Sequence, residues 1–352
     1  MNFTLCLTHA CNMRCTYCYA GDKHGGSMTW ETARRAVDFS LEQVMEHARS
    51  RGRHPVTQLG FFGGEPLLQW DLLTRTTEYT EDACAKPGIL LKKTVTTNMS
   101  LLDSGRADWL IGHGFEVGLS LDGTARRHNL LRRMADGSES HALCADALRY
   151  FRDAPDRCVV ILVIDPLNVS GLADSIAWLV DQGMTGFILN PNYDADWSAD
   201  GLARWSGEME MVAKQLAGWY REGKTIRIDV LDSKIDARIR GASSRCGECG
   251  YGGGEIAIAP EVLAADLDAN WEVLGEAIQT VIRAEVTAGR SSIADPYAVL
   301  KDLTRGRRVG AAELAEFIDG LDIGSDAKAR LRALTPASYI GLADELVDRL
   351  AD

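Results

Sequence analysis

Short apolar runs and longer amphipathic stretches take turns along the first two thirds of this 352-residue chain, and that rhythm restricts the fold more than any other feature. Phe3–Thr8, Gln58–Gly63, Lys93–Asn98, Phe115–Leu121, Cys158–Ile164 and Gly186–Asn190 read as strands. Thr29–Arg49, Leu67–Cys84, Asp103–His113, His141–Arg152 and Ser170–Gln182 read as the helices between them. Leu202–Tyr220 reads as a further helix, before a strand candidate at Ile226–Val230. In the first helix Ala33, Val37, Leu41 and Val44 share one stripe, Thr29 suits the N-cap and Glu31 suits the first turn. The mostly β-branched run Cys158–Ile164 suggests a strand buried on both faces. Short connections imply parallel strands joined by right-handed crossovers. About six such units fall short of a closed eight-unit barrel, so the expected class is α/β, a partial (β/α)6 TIM-like barrel.

The pattern changes near residue 260. A glycine-dense stretch, Cys246 to Gly254, leads into a brief apolar strand candidate at Ile256–Ala259. Beyond Pro260 the strand signals vanish. Trp271–Ala284, Pro296–Leu303, Ala311–Leu321, Ser325–Leu334 and Pro336–Leu350 read as helices with Gly or Pro at their breaks. The expected organisation is a core over residues 1–241, a linker over 242–260 and an all-helical appendage over 261–352.

Composition narrows the function. Against 38 Lys and Arg stand 50 Asp and Glu, a net charge of −12, so no broad cationic field exists for a nucleic-acid partner. No apolar run approaches the roughly 20 residues of a membrane helix. The opening Met1–Cys6 lacks the basic and apolar regions of a secretory signal, which predicts a cytoplasmic protein. Nine cysteines in such a compartment suggest reduced thiols or metal ligands. Cys84, Cys144 and Cys158 fall within expected helices or a strand and read as small buried apolar side chains. Trp197, Trp205, Trp219 and Tyr220 read as core or lid aromatics.

The strongest chemical signal is Cys11-Asn-Met-Arg-Cys15-Thr-Tyr-Cys18, a C-x3-C-x2-C run just after the first strand. In a β/α barrel that loop lies at the carboxyl mouth, where active sites gather. Three thiolates on one tight loop can hold three irons of a 4Fe–4S cube, leaving the fourth open for chemistry. The bland alternative is a structural zinc knuckle. That would need a fourth ligand, and His9, two residues before Cys11, would strain the loop.

This triad, with Tyr17 before its last cysteine, resembles the signature of the radical S-adenosylmethionine (radical SAM) enzymes. Gly63-Gly64-Glu65-Pro66 resembles the family's GGEP segment. Thr97-Asn98 resembles its TNG segment, with Met99 in place of the usual glycine. Ser120-Leu121-Asp122-Gly123, with His128, Asn129 and Arg132, resembles the strand-four segment of the peptide- and protein-modifying branch. The resemblance spans roughly residues 1–259. It implies a 4Fe–4S cluster on Cys11, Cys15 and Cys18, with the methionine part of SAM chelating the open iron. Reductive cleavage of SAM then gives a 5′-deoxyadenosyl radical that abstracts hydrogen from substrate. It further implies that Gly63 and Gly64 let backbone approach a ligand and that Glu65, followed by Pro66, takes the methionine ammonium. Ser120 would meet the ribose and Arg132 would clamp the carboxylate. Asn98 and Asp122 would shape the mouth, and Leu189 would pack on adenine or serve the core. No catalytic residue is assigned from the sequence. A reductant such as flavodoxin or ferredoxin and a peptide or protein substrate are the implied partners.

Two features depart from that family. Cys246-x2-Cys249 resembles the opening of the auxiliary SPASM region, yet no cysteine follows, and two thiolates do not complete a four-thiolate set. From about Val262 onward, Leu267–Val281, Leu303–Arg307 and Leu334–Gly341 resemble the C-terminal helical domain of bacterial adenylosuccinate lyase. The lyase's mobile serine loop and histidine-bearing core are not in the sequence, so purine-pathway lyase activity is not expected. The tail is expected to act as a cap, tether or oligomerisation surface in a hybrid chain joined near Pro260. The alternative to a peptide-modifying enzyme is a non-catalytic hybrid, its core a cluster- or SAM-binding module and its tail an interaction surface.

Overall fold

The computed structural model describes residues 2–18, 20, 23, 26–240, 255–258, 271–293, 295–296, 299 and 309–336. The chain divides into two compact units, Met1–Ala259 and Pro260–Asp352.

The first unit is one parallel sheet in the order β7-β6-β5-β4-β3-β2-β1-β8. Its strands are β1 Asn2–Cys6, β2 Val56–Phe62, β3 Leu90–Thr97, β4 Phe115–Ser120, β5 Cys158–Ile164, β6 Gly186–Pro191, β7 Arg227–Ile228 and β8 Glu255–Ile258. β1 is flanked by β2 and β8, and the run ends at β7. The sheet is therefore an open barrel: the six expected units stand in chain order, with β7 and β8 as short outer strands. The crossovers carry α1 Trp30–Arg51, α2 Trp70–Ala85, α3 Ser104–Gly112, α4 Ala125–Leu131, α5 His141–Ala147, α6 Leu172–Asp181, α7 Ala199–Arg221 and α8 Asp229–Arg240.

Local signals set the helix ends. Thr29 caps α1 by accepting the Thr32 amide at 3.2 Å, and Gly52 closes it in the left-handed conformation. Asp103 caps α3 through the Arg106 amide at 2.9 Å. The core lies between sheet and helices, with Phe3, Leu5, Leu59, Phe61, Val95, Val117 and Leu119 buried under α1, α2 and their successors. Cys84, Cys144 and Cys158 are buried there. Trp197 and Trp205 pack ring to ring at 5.0 Å against the same core.

The strand β5 corrects one expectation. Its residues alternate between buried and half-buried instead of being covered on both faces. Val160, Leu162 and Ile164 face the helices, whereas Ile161 and Val163 face a cavity inside the sheet's curve. Two further differences come from short elements. The segment expected as strand Ile226–Val230 keeps only two strand residues before α8 begins at Asp229. The helix expected over His141–Arg152 leaves its α-helical form at Ala147 and continues as a 3-10 turn, Leu148–Phe151.

In the second unit, helices Gly275–Thr287, Ala311–Gly320 and Ser325–Arg332 bury Leu274, Ile278, Ile282, Leu314, Ile318 and Leu331 in their own core. The helix expectations at Pro296–Leu303 and Pro336–Leu350 lie almost wholly outside the described residues. Among the described residues, no helix is long and apolar enough to cross a membrane.

Candidate functional site

The carboxyl ends of the first six strands surround a cavity of about 400 Å³. The loop after β1 brings Cys11, Cys15, Tyr17, Cys18 and Lys23 to its wall; β2 brings Gly63 and Gly64, β3 Asn98, β4 Ser120, and the turn after α4 brings Arg132. Ile161 and Val163 form an apolar side, and Asn190–Asp194 form the lip after β6.

The cysteine loop is held by its backbone. Arg14 and Thr16 donate to the carbonyls of Arg133 and Leu131 at 2.8 and 2.9 Å, and Ala135 donates to the Asn12 carbonyl at 2.9 Å. On the other flank Gly64 donates to the Thr8 carbonyl at 2.7 Å and Glu65 to the Ala10 carbonyl at 2.9 Å. That approach explains the glycine pair. Gly63 sits at φ 132, and a Cβ there would lie 2.4 Å from the Thr8 oxygen; one on Gly64 would lie 2.1 Å from the Ala10 oxygen. The two glycines line the cavity, but their missing side chains make room for the chain's own loop, not for a ligand as expected.

Three sulfurs share this wall, yet among the described residues no three His, Cys, Asp or Glu side chains converge closely enough to hold a single ion. Donors point at the sulfurs: Met13 N–H and Asn98 Nδ2 at 3.4 and 3.7 Å from Cys11 Sγ, and Lys23 Nζ at 2.8 Å from Cys18 Sγ. Burial pushes the Cys11 and Cys15 thiols up, with the Met13 amide and the Arg132 charge respectively working against it. A donor set of separate thiols, each met by hydrogen-bond donors, suits a multi-iron cluster in which each iron takes one sulfur.

Other expected site residues stand elsewhere. Glu65 is fully buried and does not line the cavity. Its Oε1 accepts from Leu67 N at 3.0 Å and Thr97 Oγ1 at 2.7 Å, and its Oε2 from Asn98 N at 2.7 Å. It caps the short 3-10 turn Pro66–Gln69, with Pro66 in the first position, and ties β2 to the end of β3. The expected ammonium role is corrected by that geometry: the carboxylate is turned away from the cavity. Burial raises its pKa, and the Asn98 amide foremost among these donors opposes the rise. Leu189 is a core leucine, 2% exposed, and does not reach the cavity. Met99, at the position of the family's glycine, is the one non-glycine with positive φ among the described residues, at φ 65. Cys246 and Cys249 lie outside the described residues.

Asp122 does not line the cavity either; it works behind the wall. Its Oδ2 accepts from Tyr17 OH at 2.7 Å and its Oδ1 from Val163 N at 2.9 Å. Arg132 Nη1 donates to the same tyrosine oxygen at 2.8 Å. A second chain holds the Arg132 backbone. Asp122 N donates to His128 Nδ1 at 3.3 Å, His128 Nε2 meets Ser140 Oγ at 2.9 Å, and Ser140 Oγ donates to the Arg132 carbonyl at 2.6 Å. Because Nδ1 accepts, the neutral ring carries its proton on Nε2. Burial, with the charges of Arg132 and His141, pushes the His128 pKa down to about 2.

A consequence follows for stability. Below the ordinary histidine pKa of 6.5 the unfolded chain takes up a proton that the folded ring refuses, so stability falls with falling pH. This residue alone is expected to cost about 1 kcal/mol per pH unit below roughly pH 6.5. Denaturant titrations from pH 7.5 to 5 should show a slope shallower by one proton in His128→Asn than in the parent chain; equal slopes would remove the assignment.

The comparisons with known proteins come from both halves of the chain. Residues 5–179 match the Radical SAM superfamily, and residues 246–340 match the Adenylosuccinate lyase C-terminal family. The chain therefore carries a radical SAM domain, the domain of an enzyme superfamily, followed by a lyase-type C-terminal segment. Its fold is shared with native anSMEcpe with bound AdoMet, at a TM-score of 0.60 and 18% identity over 71% of this chain and 70% of that one. It is shared with the same protein solved with AdoMet and a peptide, at a TM-score of 0.61 and 18% identity over 72% and 69%. The tail is 53% identical over 88 residues to adenylosuccinate lyase of Escherichia coli, which is 25% of this chain and 18% of the lyase. The Vibrio cholerae lyase is 50% identical over 96 residues, 27% of this chain and 20% of the lyase. The chain thus spans about a fifth of the length of these curated relatives.

Proposed function

We propose that this chain is a radical SAM enzyme that modifies a side chain of a peptide or protein, with Cys11, Cys15 and Cys18 holding a 4Fe–4S cluster. The observation that carries the reading is the meeting, on one cavity wall, of the three loop sulfurs with the half-free guanidinium of Arg132. When bound, the cluster and SAM supply reductive cleavage of the sulfonium–carbon bond and, through it, hydrogen abstraction from carbon.

The chain's own residues hold, orient and shield. Arg132 receives the methionine carboxylate of SAM. Asn98 and Ser120 offer amide and hydroxyl partners along the wall between the sulfurs and β4. Ile161 and Val163 keep water from the reacting carbon. The lip Asn190–Asp194 is the side from which a peptide enters, with Tyr193 87% exposed there. The structural likeness to a protein solved with AdoMet and a peptide supports this substrate class. A flavodoxin or ferredoxin supplies the electron, in the cytoplasm. The lyase-type tail serves as a helical cap or oligomerisation surface.

Anaerobic reconstitution with iron and sulfide, followed by SAM and dithionite, tests the reading. The expected result is a brown protein that forms 5′-deoxyadenosine and methionine in equal amounts. A small peptide encoded by a gene beside this one should change in mass on incubation. Zinc at the triad, or no 5′-deoxyadenosine from iron-loaded protein, would overturn the reading.

A further inference from the structure

Arg132 is 7% exposed, yet among the described residues it makes no ion pair with a carboxylate. Its Nε is buried with no hydrogen-bond partner, and the one bond of its guanidinium runs from Nη1 to Tyr17 OH. A buried guanidinium charge without a counter-charge is costly, and this one lies at the wall of a cavity that can admit an anion. With Nη1 taken and Nε enclosed by protein, the N–H group left to meet a ligand at the cavity is that of Nη2, which can give a carboxylate one charge-assisted bond.

We propose that Tyr17 and Asp122 are positioning residues for Arg132, fixing the plane of its guanidinium so that Nη2 faces an amino-acid carboxylate bound in the cavity. The inference rests on the SAM-binding reading above and deepens it. Asp122 is itself fixed, because its second oxygen holds the Val163 amide of β5 at 2.9 Å. The anchor for the guanidinium is thus a strand of the barrel, reached through one phenol.

The phenol matters because of what a direct contact would do. A direct aspartate contact on Arg132 would compete for the N–H groups that a ligand carboxylate needs and would neutralise the charge that attracts it. Tyr17 stands between them at 2.8 and 2.7 Å, so it passes on the orientation and leaves Nη2 free. Its place between Cys15 and Cys18 puts this spacer on the same loop as the sulfurs. Loop and guanidinium are thereby held in one register.

Binding to the full-length, iron-loaded and unreduced chain tests this, read by anaerobic equilibrium dialysis with two probes. SAM carries the carboxylate; 5′-methylthioadenosine shares the nucleoside and thioether and lacks it. In Tyr17→Phe the Kd for SAM is expected to rise about tenfold, the loss of one hydrogen bond to a charged group, with the Kd for methylthioadenosine unchanged. Iron content and the cluster's visible spectrum should stay as in the parent. Asp122→Asn, which keeps an oxygen for Val163, should show the same selective loss. The double variant should be little worse than either single one, since both act through one guanidinium. Equal weakening of both probes would reduce Tyr17 to a general structural part and overturn the proposal, as would an unchanged SAM Kd in both single variants. If the parent itself failed to bind SAM, the SAM reading would fall first, an outcome distinct from these.

Discussion

Loss of bound iron, and with it of all SAM cleavage, is the expected result of replacing Cys11, Cys15 and Cys18 together with alanine. The three sulfurs share one cavity wall, and the remaining described cysteines, buried Cys84, Cys144 and Cys158 among them, do not line it. The variant should still fold. The loop is fixed by backbone bonds to the Leu131, Arg133 and Ala135 segment and to Gly64 and Glu65, and none of these involves sulfur. Its metal-free unfolding free energy should therefore match that of the metal-free parent to within about 1 kcal/mol, the range of substitutions that leave no cavity or orphaned polar group. Iron and acid-labile sulfide, measured after identical anaerobic reconstitution, should fall to background. Cys158→Ala, a change in β5 remote from that wall, should load iron normally. Full iron content in the triple variant would place the metal elsewhere and remove the basis of the proposed function.

The sheet is legible because most of its strands are short runs of apolar or β-branched residues ended by polar or glycine residues, and the helices between them carry apolar stripes. The same logic explains where reading failed. An apolar run fits equally a strand covered on both faces and one that walls a cavity, so Cys158–Ile164 was expected to be covered where Ile161 and Val163 in fact face the site. The helix Ala125–Leu131 leaves no sign in the sequence: seven residues with two arginines and a histidine show no stripe. In the site, spacing grouped the three sulfurs on one loop and the family resemblance pointed to Arg132, but neither gave the direction in which carboxylates point. Glu65 turns to Thr97 and Asn98, 32 and 33 residues away, and Asp122 turns to Tyr17, 105 residues away. Those directions follow from how strands align, and a single sequence does not state that register. In the sequence Tyr17 is only an aromatic before a cysteine; its hydroxyl gains meaning once Arg132, 115 residues on, lies beside it.

Gly64→Ala is expected to do more damage than its one methyl suggests. The added Cβ would stand 2.1 Å from the Ala10 oxygen, 2.6 Å from the Ala10 carbonyl carbon and 2.7 Å from the His9 oxygen. All three are backbone atoms, so no side chain can swing away, and either the β2 end or the loop must move. The loop is the more pliant of the two, because Phe61 and Leu59 hold β2 in the core while residues 9–18 have no regular secondary structure. Moving it breaks the bonds from Gly64 to Thr8 and from Glu65 to Ala10, and it carries Cys11 away from Asn98. Overpacking against fixed backbone together with two lost hydrogen bonds should cost about 3 kcal/mol or more. Denaturant unfolding of the metal-free chain reads that loss directly, and reconstitution should show iron reduced in step. Gly63→Ala meets the Thr8 oxygen at 2.4 Å from a φ of 132, so it should behave alike. Gly112→Ala, in a helix where a Cβ meets nothing within 4 Å, is the control and should be neutral or slightly stabilising. If Gly64→Ala matched that control in stability and in iron, the close seating of the cysteine loop on the glycine pair would be wrong, and the sulfurs would owe their placement to the Leu131–Ala135 side alone.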